Sequence, residues 1–168
     1  MKYLNKSNVI ASTVMFVLLF TSLAASAHDS STAKSSVRVN RIVGLWDVQV
    51  AVASCAGGPA FATFSAMHQY QTGGTGQIVP AGNPTGLSAH MMVWTPLDGN
   101  NYLARFKMYR YDPAGNTLGW NIVTNEVSLS KDGKQYSGTG IAEFFDNDGN
   151  LLMASCPSFT GTRFSVEP

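Results

Sequence analysis

The chain has 168 residues, with 11 Lys and Arg against 10 Asp and Glu, for a formal charge of +1. A balance so near zero carries no electrostatic footprint for a polyanion, so no nucleic-acid partner and no anionic lipid surface are expected. The length suits one domain with a single core, and a charged fraction of only 12% points to extensive β-structure with polar, uncharged outer faces.

Residues 1–27 read as a secretory signal peptide. Lys2 and Lys6 give a positive start, "VIASTVMFVLLF" an apolar core, and Ala25-Ser26-Ala27 a small-residue cleavage site. The apolar run is broken by Ser12 and Thr13 and is short for a bilayer span, so no stable membrane anchor is expected after cleavage. Removal of Lys2 and Lys6 takes the formal charge from +1 to −1. The expected location is outside the cytoplasm, periplasmic or secreted. Residues 28–40, "HDSSTAKSSVRVN", are rich in serine without apolar periodicity and read as a flexible leader. Residues 41–168 then form one domain.

From Ile42 onward the chain is a succession of β signals. Strands are expected at 42–54, 60–71, 75–80, 87–95, 101–111, 117–130, 135–146, 150–155 and 158–166, some of them merging. Asp98-Gly99, "DPAGN" at 112–116, Asp132-Gly133 and Asp148-Gly149 punctuate them as tight turns. The glycine- and proline-rich stretch at 72–86 is expected to hold a long loop able to cover a barrel mouth. No segment keeps a 3.6-residue period, so the fold class is all-β. An antiparallel meander of about eight strands removes its two edges most completely by closing into an up-and-down barrel.

Export places Cys55 and Cys156 in an oxidising compartment, where two cysteines have one possible pairing. Without a C-x-x-C motif the bridge is read as structural. If Cys55 lies opposite Cys156 on paired first and last strands, Val48 falls opposite Arg163 and Trp46 opposite Ser165, diagonal to Arg163. Alternation then puts Trp46, Val48, Val50, Val52 and Arg163 on the inner face and the cysteines on the outer.

Gly44-x-Trp46 on a first strand, with Arg163 from the last strand over the indole, resembles the signature of the calycins, the superfamily of lipocalins and fatty-acid-binding proteins. That resemblance implies a lipocalin-like barrel with Gly44, Trp46 and Arg163 as its floor, and a small apolar molecule held in its cavity. The Thr-Asp-Tyr triplet of many lipocalins is absent. Residues 90–168, with "RYDPAGN", "LSKDGKQYSGTG", "EFFDNDGN" and "TGTRFSVEP", also resemble a group of secreted bacterial proteins of undefined function.

Candidate ligand contacts come from inward parity. Met92 and Trp94 share a face with His90, and Tyr102, Phe106 and Met108 share one with Ala104. Gly138, Gly140 and Ala142 are expected to leave space along one wall. His68 and His90 could form a metal pair, but no Cys, Asp or Glu stands at ligand spacing, so a structural or ligand-contacting role is preferred. No metal and no cofactor are expected. Glu126 and Glu143 could do acid–base work if both faced the lumen; a solvated outer face is the simpler reading. No nucleophile elbow, phosphate loop or Ser-His-Asp spacing occurs, and no catalytic residue is assigned.

Three functions follow: an exported binding barrel, a barrel isomerase or cyclase of the allene oxide cyclase type using His90, Glu126 or Glu143, and a solidly packed interaction barrel in the cell envelope. A cavity of a few hundred cubic ångströms separates the first two from the third. A buried carboxylate or histidine beside that cavity favours the enzyme. The sequence assigns no oligomeric state.

Overall fold

Runs of alternating apolar and polar residues, each ended by a turn, pair with their sequence neighbours to give eight strands. The computed structural model describes residues 40–82 and 86–166. The expected signal peptide at 1–27 and all of the expected leader but Asn40 lie outside the described residues. The strands are β1 (Gly44–Ala53), β2 (Ala62–Tyr70), β3 (Thr75–Pro80), β4 (His90–Pro96), β5 (Asn101–Tyr111), β6 (Thr117–Leu129), β7 (Gln135–Phe145) and β8 (Leu151–Arg163). Each is antiparallel to the next, and β8 pairs with β1 from Trp46↔Arg163 to Ala53↔Cys156. The sheet is a closed barrel without edges, and no helix occurs among the described residues.

The two strands expected at 150–155 and 158–166 are one. β8 runs through Pro157, which lacks an N–H, and the ladder to β7 has no paired residues between Thr139↔Ser158 and Ala142↔Ser155. The strand expected at 75–80 is β3 as placed, so the stretch at 72–86 is not one loop. β3 cuts it into a tight hairpin at 71–74 and a longer connection at 81–89. Stepping from partner to partner, from Gly44 through Tyr70, Met92, Val123 and Ala142, leads to Ser155. Ser155 precedes Cys156, the partner of Ala53, so one circuit climbs nearly the whole of β1. A stagger of this kind tilts the strands and widens the interior.

The expected register needs one correction. Cys156 pairs with Ala53 and Arg163 with Trp46 directly, a shift that leaves every residue on its anticipated face. Cys55 stands beyond the end of β1, off the pleat, where its Cα comes within 4.9 Å of that of Cys156 and the two are bonded. This avoids the demanding geometry of a disulfide straight across a ladder.

One end of the barrel is a packed floor. Trp46 is fully buried, and its Nε1–H donates to the Ile42 carbonyl at 2.9 Å. The Arg163 guanidinium lies 4.2 Å from the indole centroid. It donates to the carbonyls of Gly133 at 2.8 Å, Val43 at 3.0 Å and Arg41. Gly44 makes this approach possible: its φ is +141°, and a Cβ there would lie 2.6 Å from Arg163 Nη1. The G-x-W spacing therefore keeps a side chain out of the space the guanidinium fills. Arg41 adds a second brace from outside, donating to the Lys131 carbonyl at 2.6 Å and to Asn100 Oδ1 at 3.3 Å. Neither Arg41 nor the fully buried Ile42 was anticipated as part of the floor.

Two stability experiments test this frame. Replacing Cys55 and Cys156 together with serine should lower unfolding free energy in denaturant by roughly 2–5 kcal/mol, because the bridge closes a long loop of the unfolded chain, while far-UV circular dichroism stays that of the barrel. Gly44→Ala should cost about 1–3 kcal/mol through backbone strain and displacement of Arg163. In a double-mutant cycle, Gly44→Ala should cost less when Arg163→Ala is already present, since the Cβ then has room; strict additivity would show that the two residues do not share the space.

Candidate functional site

Inward-facing residues near the floor are large and aromatic, and those toward the opposite end are smaller or polar. Above Trp46 the ring of Tyr136 lies at 4.8 Å between centroids, Tyr70 packs edge-on to Trp94 at 6.0 Å, and Trp94 edge-on to Tyr102 at 5.9 Å. Trp94 Nε1–H donates to the Thr75 carbonyl at 2.9 Å. This cluster fills the lower half of the barrel. Beyond it the lumen opens into a cavity of about 490 Å³ that reaches the 81–89 connection.

The candidate ligand contacts therefore separate. His90, Phe106 and Met108 line the cavity. Trp94 and Tyr102 do not; they belong to the aromatic cluster of the floor, because those strands carry them one or more pleats down toward the tight turns. Met92 is buried between the two levels, its Cε in the space that a side chain at Gly76 would occupy. Of the small residues at 138, 140 and 142, only Ala142 opens onto the cavity. The room left by Gly138 is taken by the Phe159 ring, and that left by Gly140 by the Asn125 side-chain oxygen.

Five polar side chains are buried among the described residues: His68, His90, Asn121, Asn125 and Ser155, and every one lines this cavity. His68 Nδ1 is 2.8 Å from the Tyr136 hydroxyl, and the Tyr136 ring packs edge-on to Tyr70 at 6.3 Å. His90 stacks parallel on Phe106 at 5.8 Å, with both ring nitrogens buried and without a protein partner. Asn121 Oδ1, Asn125 Oδ1 and Ser155 Oγ are also buried without a protein partner. Buried polar groups as a rule have hydrogen bonds, and these unpartnered ones are gathered on the wall of one cavity.

Asn121, Asn125 and Ser155 escaped sequence reasoning, although a signal existed. On β6 the two asparagines alternate in step with Val123, Val127 and Leu129, which makes them inward residues on an otherwise apolar face. Ser155 holds the same parity as Phe159 on β8.

Burial pushes the His68 imidazolium down to about 3, with the neighbouring His90 adding to the effect, and burial pushes His90 down to about 4. Both rings are neutral at pH 7. Glu126 is exposed, and Glu143 shares the outer face with exposed Ile141. The two glutamates thus stand away from the lumen, and no carboxylate lines the cavity. No cluster of three His, Cys, Asp or Glu side chains suited to a metal occurs among the described residues.

Comparison with family models, curated proteins and solved structures found no match to this chain. What stands without a relative is a closed, eight-stranded antiparallel barrel, filled by aromatic residues at its floor and hollow toward the opposite end.

The histidines make a pH test. A histidine whose folded pKa lies below its unfolded value of about 6.5 contributes stability that is complete above that pH. It is lost as pH falls, because the unfolded chain binds the proton first. Thermal unfolding should therefore be level near pH 7–8 and fall progressively from about pH 6.5 downward, by on the order of 2–4 kcal/mol for a ring held this far down. His68→Gln should flatten part of that slope; an unchanged slope would assign it to other groups.

Proposed function

We propose that this protein is an exported, lipocalin-like barrel that binds a small, mostly apolar molecule in its lumen, and that it does so without a stable membrane anchor. The observation that carries the proposal is the 490 Å³ cavity at the end of the barrel away from the floor, of a size typical for small-molecule sites and with a few polar groups set in an apolar wall. Gly44, Trp46 and Arg163 in their calycin-like arrangement support the likeness to lipocalins. Export is supported by the signal-like pattern at residues 1–27 and by a disulfide that joins the closing strands.

Two buried histidines beside the cavity are the observation that would favour a barrel isomerase or cyclase. Their depressed basicity weighs the other way. A general base works best with a pKa near the operating pH, and rings held at about 3 and about 4 are weak proton acceptors at pH 7. Neutral imidazoles serve better here as hydrogen-bonding groups. The cavity itself weighs against a solidly packed envelope barrel.

Ala142, small and on the cavity wall, offers the direct test. Native mass spectrometry of the protein purified from its own host should reveal a bound small molecule, and Ala142→Trp should abolish that adduct while near-UV circular dichroism still reports a folded barrel. A wild-type protein that carries no adduct and takes up no apolar fluorophore would remove the proposal.

A further inference from the structure

The polar groups of the lumen are arranged on two walls. In the closed order β1 to β8, β2–β4 and β6–β8 face each other across the barrel. His68 and His90 stand on the first wall, at positions joined through Ile78 in the β2–β3–β4 ladder. Asn121, Asn125 and Ser155 stand on the second, on β6 and β8, with the small residues Gly140 and Ala142 of β7 between them. Gly140 is part of the construction. A Cβ there would collide with Asn125 Oδ1, so the glycine lets the Asn125 amide lie across β7 toward β8. All five side chains are more than nine-tenths buried.

No charged side chain lines the cavity. The cation placed by parity beyond Met108 is Arg110. Its guanidinium lies 5.9 Å from the Phe144 ring centroid and donates to the carbonyls of Phe145 at 2.7 Å and Leu118 at 3.3 Å, leaving Nε without a protein partner. It is outside the cavity wall. A carboxylate in the lumen would meet neutral amides, a hydroxyl and neutral imidazoles, with nothing to balance its charge. A pure hydrocarbon would leave the asparagine, serine and histidine atoms unpaired.

Building on the proposed binding function, we infer that the molecule held in this barrel is uncharged and has an apolar body with a hydrogen-bonding group of the amide or carbonyl-plus-donor type, placed between the Asn121–Asn125–Ser155 wall and the His68–His90 wall. The amide side chains and Ser155 hydroxyl can each give and accept a hydrogen bond, so a group with one donor and one acceptor is matched on either wall. Phe106, Val123 and Phe144 surround the body. Specificity is of the kind in which an analogue lacking the polar group is rejected because buried partners stay unpaired.

The test uses three probes of one shape and different polarity: 2-naphthamide, naphthalene and 2-naphthoate. Binding is measured by calorimetry to the full chain, freed of any co-purified molecule and with its disulfide intact, at pH 7.5. The expected order is 2-naphthamide tighter than both others by about tenfold or more. Asn121→Leu combined with Asn125→Leu should erase that advantage while keeping or improving naphthalene binding; the wild-type ranking decides the matter alone if this variant does not fold. Naphthalene binding as tightly as the amide would reduce the lumen to apolar filling. Naphthoate binding most tightly would make Arg110 the anchor and the ligand an anion. Either result overturns the inference and leaves the binding function in place. If none of the three binds, the inference is overturned, and the binding function falls with it only where the host-purified protein also carries no adduct and takes up no apolar fluorophore.

Discussion

Arg163 is the last residue of the strand that closes the barrel, and its guanidinium faces the indole of the first strand while it donates hydrogen bonds to carbonyls on both sides of the floor. A cation on an inward face is tolerated only when its donors are matched and its charge is met by a polarisable surface. Three carbonyls and the Trp46 face do this together. The arrangement holds the entry to β1 and the β6–β7 turn at fixed positions, and so sets the register in which β8 meets β1. Gly44 is the geometric condition for it, since no other residue leaves room for the guanidinium at that backbone conformation. The disulfide secures the same seam near its other end.

A barrel closed in this way has to fill or hollow its interior, and this one does each in a separate half. Trp46, Tyr70, Trp94, Tyr102 and Tyr136 supply the bulk at the floor. The Trp46 and Trp94 N–H groups donate to backbone carbonyls and the Tyr136 hydroxyl is hydrogen-bonded to His68 Nδ1, so the aromatic layer ends upward in a hydrogen-bonded imidazole. That layer is a rigid base for the cavity. The walls above it combine Val50, Val123 and Phe106 with the five buried polar groups, four of which carry side-chain atoms without a protein partner.

Neutrality is the second property of the lumen. Burial holds both histidines uncharged, both glutamates of the strand interiors point away, and the two inward-facing arginines are engaged by backbone carbonyls at opposite ends. The cavity wall therefore presents hydrogen-bonding groups and apolar surface, with no charged side chain on it.

Much of this was legible in the sequence. Alternation set Trp46, Val48, Val50 and Val52 inward, Asp-Gly turns set the hairpins, and two cysteines admitted one bridge; these are local rules of period and turn chemistry that hold wherever a strand lies. The register was legible only to within a shift that keeps parity, because a displacement of two residues exchanges no faces. What alternation could not supply is depth along the barrel axis. Trp94 and His90 share one face of β4, yet one packs into the floor and the other opens onto the cavity. Their difference arises from the tilt and stagger of neighbouring strands, which belong to the closed sheet as a whole. In the same way Gly138 and Gly140 promise space in the sequence, and only their neighbours across the ladder, Phe159 and Asn125, decide that it is filled. Most strands, their inner faces and the one possible bridge are thus written locally along the chain; where the interior is empty is settled only in the closed barrel, because an unfilled volume is a property of many side chains meeting from strands far apart in the chain.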